Sequence, residues 1–149
     1  MIRLDLDLDP ELVEVAWHMI QDSIGVLQNE PSSRFTAPDE DDPDLVEAWE
    51  DGLREDLDVD IQAMEQLFVK NRLGEESIEL KPDIAERVLR ACSAVRLRLR
   101  TKNMVDLPDT ALELGDVAME QMDPEVRVAY FTYGLLAYIQ EELVALLDG

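Results

Sequence analysis

The side chains in this sequence most able to do chemistry are one histidine, one cysteine and a large excess of carboxylates. His18 follows Glu14 by four residues and stands beside Trp17. A nucleophilic triad needs a histidine base oriented by a further group. A helix-borne histidine beside an aromatic ring reads more simply as a partly buried structural residue. Cys92 falls on what reads as the apolar face of a helix, where a thiol behaves as a small hydrophobe. Asp5-x-Asp7-x-Asp9 and Asp56-x-Asp58-x-Asp60 have the spacing of half a calcium loop. Both then fail, because glycine is needed where Pro10 and Ile61 stand, and glutamate where Ala16 and Leu67 stand. A di-iron bundle needs paired Glu-x-x-His motifs, which one histidine cannot supply. The pairs Glu47/Asp51 and Asp51/Glu55 would hold a hard cation only weakly and arise by chance on so acidic a helix. The six glycines are scattered and form no phosphate loop or dinucleotide fingerprint. The sequence therefore assigns no catalytic residue, no metal site and no cofactor, and the expectation is a non-enzymatic protein.

Recognition chemistry fares better. The net charge is −22, yet residues 81–102 carry seven bases against Asp83 and Glu86. Residues 39–60 are the counterweight, with twelve acids and one base, Arg54. Two readings stay open. Either the basic helix packs beside the acidic one and the charges compensate, or Arg96, Arg98, Arg100 and Lys102 form an exposed stripe that receives an acidic partner. Four of the eight aromatic residues lie between Tyr130 and Tyr138. Such spacing usually marks core, but Tyr130, Tyr133 and Tyr138 are distributed around a helix, so some ring must face a groove or a partner. These three are the pocket candidates.

The elements that must position these residues are mostly helices. Proline followed by an acid recurs at Pro10-Glu11, Pro43-Asp44, Pro82-Asp83, Pro108-Asp109 and Pro124-Glu125. Proline suits the first helical position, whose amide has no intrahelical acceptor, and the acid meets the positive end of the helix dipole. Asp9, Asp42 and Asp123 precede three of these prolines and can cap. The spacing predicts a first helix over 10–28, with Leu12, Ala16, Met19, Ile20, Ile24 and Leu27 inward. A polar loop, expected to be mobile, covers 29–42. A second helix starts at 43 with Val46, Trp49, Leu53, Leu57, Ile61, Met64 and Phe68 inward, and a break is expected near Asp58. A third spans 82–101 with Ile84, Val88, Ala91, Cys92, Val95 and Leu99 inward. A shorter one covers 109–121, and the last, 124–147, is the most apolar and reads as the central helix.

Residues 2–8 alternate as a half-buried strand does. A shift of 72 residues lays Leu8-Asp9-Pro10-Glu11-Leu12 on Leu80-Lys81-Pro82-Asp83-Ile84. That match predicts a two-stranded ribbon of residues 2–8 and 78–80 lying on the helices, since such a pair is marginal alone. The fold class expected is mainly α: one compact domain over 1–149, a bundle of four to five helices with a short β-ribbon. A chain of this length sits within the usual domain range of about 100–150 residues.

A single cysteine permits no intramolecular disulfide and suits a reducing compartment. The N-terminus carries acids where a signal peptide needs an apolar core, and the longest mostly apolar run, 128–139, is shorter than the ~20 residues a membrane helix needs. A cytoplasmic, soluble protein with no membrane partner is expected. The charge repels phosphate backbones, which counts against nucleic acid, and with only three lysines it also fits adaptation to a salty cytosol. The apolar last helix suits a homodimer.

Several stretches resemble a bacterial family of unknown function, best represented in high-GC Gram-positive bacteria. They are Leu6-Asp7-Leu8-Asp9-Pro10-Glu11; residues 49–57, from Trp49 to Leu57; residues 95–102, from Val95 to Lys102; and residues 133–144, from Tyr133 to Val144. They cover most of the chain in the same order, although each is a helix pattern rather than a chemical signature. Arg98, Arg100 and Tyr138 stand where that family's pattern would put an apolar residue, a glycine and a tryptophan. The resemblance brings no catalytic residues. It implies a protein partner and a link to regulated proteolysis, because the family's genes often neighbour that of the Clp protease adaptor ClpS. Some members are labelled transcription regulators. A regulator or adaptor is thus the leading expectation, a small-molecule or metal-binding bundle the second, and a transcription regulator the third.

Overall fold

A computed structural model describes residues 1–29, 43–70, 73–74, 77–105, 107 and 122–148. The side chains at 28, 29, 46, 49 and 50 lie outside the description, as do the expected helix 109–121 and all of the expected loop 29–42 except Asn29, which ends the first helix. The order is β1 (Ile2–Leu4), α1 (Pro10–Asn29), α2 (Pro43–Glu65), β2 (Ile78–Leu80), α3 (Pro82–Arg98) and α4 (Pro124–Asp148). Each of the four helices begins at a proline, as its sequence demands. At α1 the Glu11 amide donates to Oδ1 of Asp9 at 2.9 Å, closing the cap. At α3 no side chain caps, because Lys81 stands where the others have aspartate.

The ribbon is present but shorter than expected. Ile2 pairs with Leu80, Arg3 with Glu79 and Leu4 with Ile78, antiparallel. Leu4, Ile78 and Leu80 turn inward and bury against the helices. Residues 5–8 are not strand, since β2 offers only three residues to pair with. Beyond β1 the contact passes to side chains: Arg3 donates to the Ser77 hydroxyl at 3.0 Å, and that hydroxyl donates to Asp5. The 72-residue shift aligns β2 with residues 6–8 rather than with β1, so the two units match from the proline onward only.

Helix α2 runs unbroken past Asp58. Leu57, Ile61 and Met64 keep their helical spacing, and Asp60 in that alternating run is buried because a partner waits for it. Both α2 and α3 finish in a single π-helical turn, Gln66–Lys70 and Leu99–Asn103. The first of these turns buries Leu67 and Phe68 together, and Phe68 stacks on Trp17 of α1 at 5.2 Å. Leu12, expected inward on α1, is exposed, and Val13 takes its place in the core.

The central position also differs from expectation. Among the described elements α3 and α1 each pack against the three other helices, α3 most extensively, through α2 and α4. Helix α4 buries one face only, through Ala129, Thr132, Leu135, Leu136, Ile139 and Leu143. Each fully buried leucine or isoleucine there contributes roughly 1.5–3 kcal/mol. Tyr130, Phe131, Tyr133, Leu146 and Leu147 pack half-buried against the core beside that face, and Tyr138 and Val144 are left exposed.

Gly74 turns the chain toward β2 with φ +92°, and a Cβ built there would stand 2.8 Å from the Cβ of Leu8. The left-handed backbone and this approach both require glycine. Gly74→Ala is expected to destabilise the fold by about 1–3 kcal/mol, read as a lower urea midpoint with an unchanged slope; an unaltered midpoint would show that the turn can relax.

Candidate functional site

The basic residues of α3 are arranged by helix geometry. A two-residue step turns about 200° around a helix, so Arg96 and Arg100 share one side while Arg98 and Lys102 share the other. Arg90, six residues before Arg96 and so about 240° away around the helix, faces α2 and makes a bidentate contact with Asp60, Nε to Oδ2 at 3.0 Å and Nη2 to Oδ1 at 2.9 Å. The Asp60 side chain is only 9% exposed while that of Arg90 is 58% exposed. The hydrogen bond to Asp60 is the main cause raising the Arg90 pKa, against a smaller opposing effect of burial. The basic helix therefore does compensate the acidic one at this pair.

Arg96 does something different. Its Nη1 donates to Oε1 of Gln140 on α4 at 2.7 Å, and its Cζ lies 4.5 Å from the centroid of the Tyr133 ring. That placement is a cation–π contact. Its Nε is buried and finds no acceptor among the described residues. Gln140 in turn donates to the Leu89 carbonyl at 3.0 Å and the Ser93 hydroxyl at 2.8 Å, fastening α4 to α3. Arg100 donates to the Met104 carbonyl at 2.6 Å at the end of the π turn. Arg98 is half-buried and also engaged, and Lys102 is exposed.

Arg96 and the three candidate tyrosines come together. An open cavity of about 740 Å³ is lined by Tyr130, Tyr133 and Tyr138 of α4, by Arg96, by Asp7, Leu8 and Asp9 from the β1–α1 connection, and by Leu12 of α1. A second depression, about 410 Å³, shares Arg96 and Ala137 with it and continues along α4 past Gln140, Glu141, Val144 and Ala145. Tyr138, Leu12 and Val144 are each at least 40% exposed on this surface. Gly134 also lines the cavity, and a Cβ there would meet nothing within 4 Å.

Sequence reasoning missed Gln140 and the whole 7–12 wall. A lone glutamine in an apolar helix was the available signal for the first. The second had none, because it needs α1 and α4 side by side. His18, expected partly buried, is exposed, with Nε2 4.0 Å from Glu14. Among the described residues no group of three or more His, Cys, Asp or Glu side chains could hold a metal ion.

The arrangement defines a mainly helical bundle with a short ribbon and an open, aromatic-lined face, and no helix among its described residues is long and apolar enough to cross a membrane. Residues 33–147 match the family described as a domain of unknown function, DUF2017, and the chain belongs to that family. The match starts after β1 and α1, so the 7–12 wall of the cavity lies outside it. No curated protein and no solved structure matches the chain.

Cys92 is enclosed in the core, and burial pushes its thiol from 9.0 up to about 12, with the charge of Arg96 pulling weakly the other way. Between those values the folded thiol keeps a proton that the unfolded one has lost. Its contribution to stability is thus complete below pH 9.0 and is lost as pH rises toward about 12. Unfolding free energy is expected to fall more steeply over that window in the native protein than in Cys92→Ala, as measured by urea titration at stepped pH. Equal slopes would mean that the thiol ionises freely in the folded state.

Proposed function

We propose that this protein is a non-enzymatic, cytoplasmic interaction module that works as a regulator or adaptor through the outer face of α4. The observation that carries this reading is the apolar surface that α4 leaves open. Its buried face already completes the core, yet Ala137, Tyr138 and Val144 continue an apolar surface beside it, with the edge of the core-packed Tyr130 at its border. Exposed apolar patches of this kind mark interaction sites more often than they occur idly. Among the described residues, the side chains lining this face include no nucleophile beside a base. A role in regulated proteolysis is what the family resemblance adds. Transcription control by direct DNA contact fits poorly with a net charge of −22.

A second reading is a small-molecule site, favoured by one observation: the cavity volume lies within the range of about 300–1,000 Å³ typical of ligand pockets. Its openness favours a macromolecular partner, because small ligands are bound by enclosure.

Gly134→Trp fills the face from a position where the fold has room. Affinity capture from the native host is expected to recover the same protein repeatedly with the native chain. Recovery should drop at least about tenfold with Gly134→Trp, the loss expected when a central contact is blocked, at an unchanged melting temperature. No recurrent partner, together with reproducible turnover of a small substrate, would sink the proposal; calorimetric saturation by a small metabolite would favour the second reading.

A further inference from the structure

We infer that the partner seated on α4 is an amphipathic helix with lysine or arginine at its ends, an inference that rests on the interaction reading above. Length and period come first. The open face runs from Tyr130 to Ala145, about 22 Å at 1.5 Å per residue, or roughly four helical turns. Its members at 130, 134, 137, 141 and 144 recur every three or four residues, the spacing that accepts the ridges of a second helix. Gly134 and Ala137 let a partner backbone approach closely.

Charge selects the occupant. Asp7 and Asp9 stand at one part of this surface and Glu141 at the other, all exposed. The one cation in the lining, Arg96, lies against Tyr133 and Gln140, so its charge is held by the wall. The face is therefore mostly apolar, and its acids Asp7, Asp9 and Glu141 outnumber its one lining cation, Arg96. A second copy of this chain would bring another −22 against those acids, and nucleic acid would meet the same repulsion. A cationic helix gains from both parts of the surface, through burial along the middle and opposite charge at the ends.

The probe is a synthetic peptide of about four turns, with leucine and alanine on one face and lysine at both ends, followed by fluorescence anisotropy. The native protein should bind it, and Gly134→Trp should weaken binding at least about tenfold while circular dichroism shows an intact fold. Asp7→Lys combined with Glu141→Lys should reverse the preference toward the same peptide with glutamate ends. Asp51→Asn with Glu55→Gln, on the far acidic helix, should change affinity less than about twofold.

Any of the following results would overturn the inference. They are binding untouched by Gly134→Trp, equal binding of the glutamate peptide to the native chain, equal loss on neutralising Asp51 and Glu55, and a native dimer in sedimentation that Gly134→Trp splits. A host partner lost with Gly134→Trp, beside a lysine peptide that does not bind, would remove this inference and leave the interaction module standing.

Discussion

A polar helix at the centre of a bundle must satisfy two demands at once, and the placement of α3 shows how this chain meets them. Its apolar stripe, Ala85, Val88, Ala91, Cys92, Val95 and Leu99, is narrow and completely buried. The residues flanking that stripe are long and charged. Left unpaired between packed helices they would oppose association, because a desolvated charge is costly without a partner. Arg90 resolves one flank through Asp60 of α2, and on the other Arg96 and Ser93 both meet Gln140 of α4, while the buried Arg96 Nε finds no acceptor among the described residues. The polar contacts thus sit beside the apolar seam on both sides and set which neighbour lies where, while burial supplies most of the stabilisation.

This arrangement also fixes the exposure of α4. With α3 at the centre, α4 needs only one apolar face for the core. Gln140 holds that face against α3, and Gly134 and Tyr138 are left exposed while Ala137 is half-buried. Arg96 serves both regions, as a tie between helices and as part of the cavity wall. A side chain that makes a cation–π contact and a hydrogen bond is well fixed, so the wall it forms is firm rather than adaptable.

Most of the helices were legible in the sequence because proline, acid and spacing agree at each start. The ribbon was legible too, through alternation and the repeat, although its length was set by the three residues of β2. Composition was the weaker guide. The apolar character of α4 suggested enclosure, and the basic character of residues 81–102 left compensation and an exposed stripe both open. The structure leaves Tyr138 and Val144 of α4 exposed, since buried area depends on one face rather than on the mean of a helix. Of the two readings open for the basic segment, it shows compensation at Arg90 and Asp60 while Lys102 stays exposed. The alternation around Asp58 misled for a related reason: Asp60 points inward because Arg90 is there, which no local pattern records. Of the site, the three tyrosines and Arg96 were named from sequence, but nothing in it joined them. That they line one cavity follows from the packing of α3 and α4, and the 7–12 wall from the packing of α1.

That wall links the site back to the smallest element of the fold. Leu8 lines the cavity, and the turn at Gly74 backs directly onto it. Leu8 lies between β1, pinned by its pairing with β2, and α1, pinned by the Asp9 cap. Both strands of the ribbon are far apart in sequence, so their pairing brings the Gly74 turn under the N-terminal segment and sets how far Leu8 and Asp9 stand from α4. A ribbon of three residue pairs contributes little stability by itself. Its larger effect is positional, because the width of the open face on α4 depends on where the ribbon places residues 7–12.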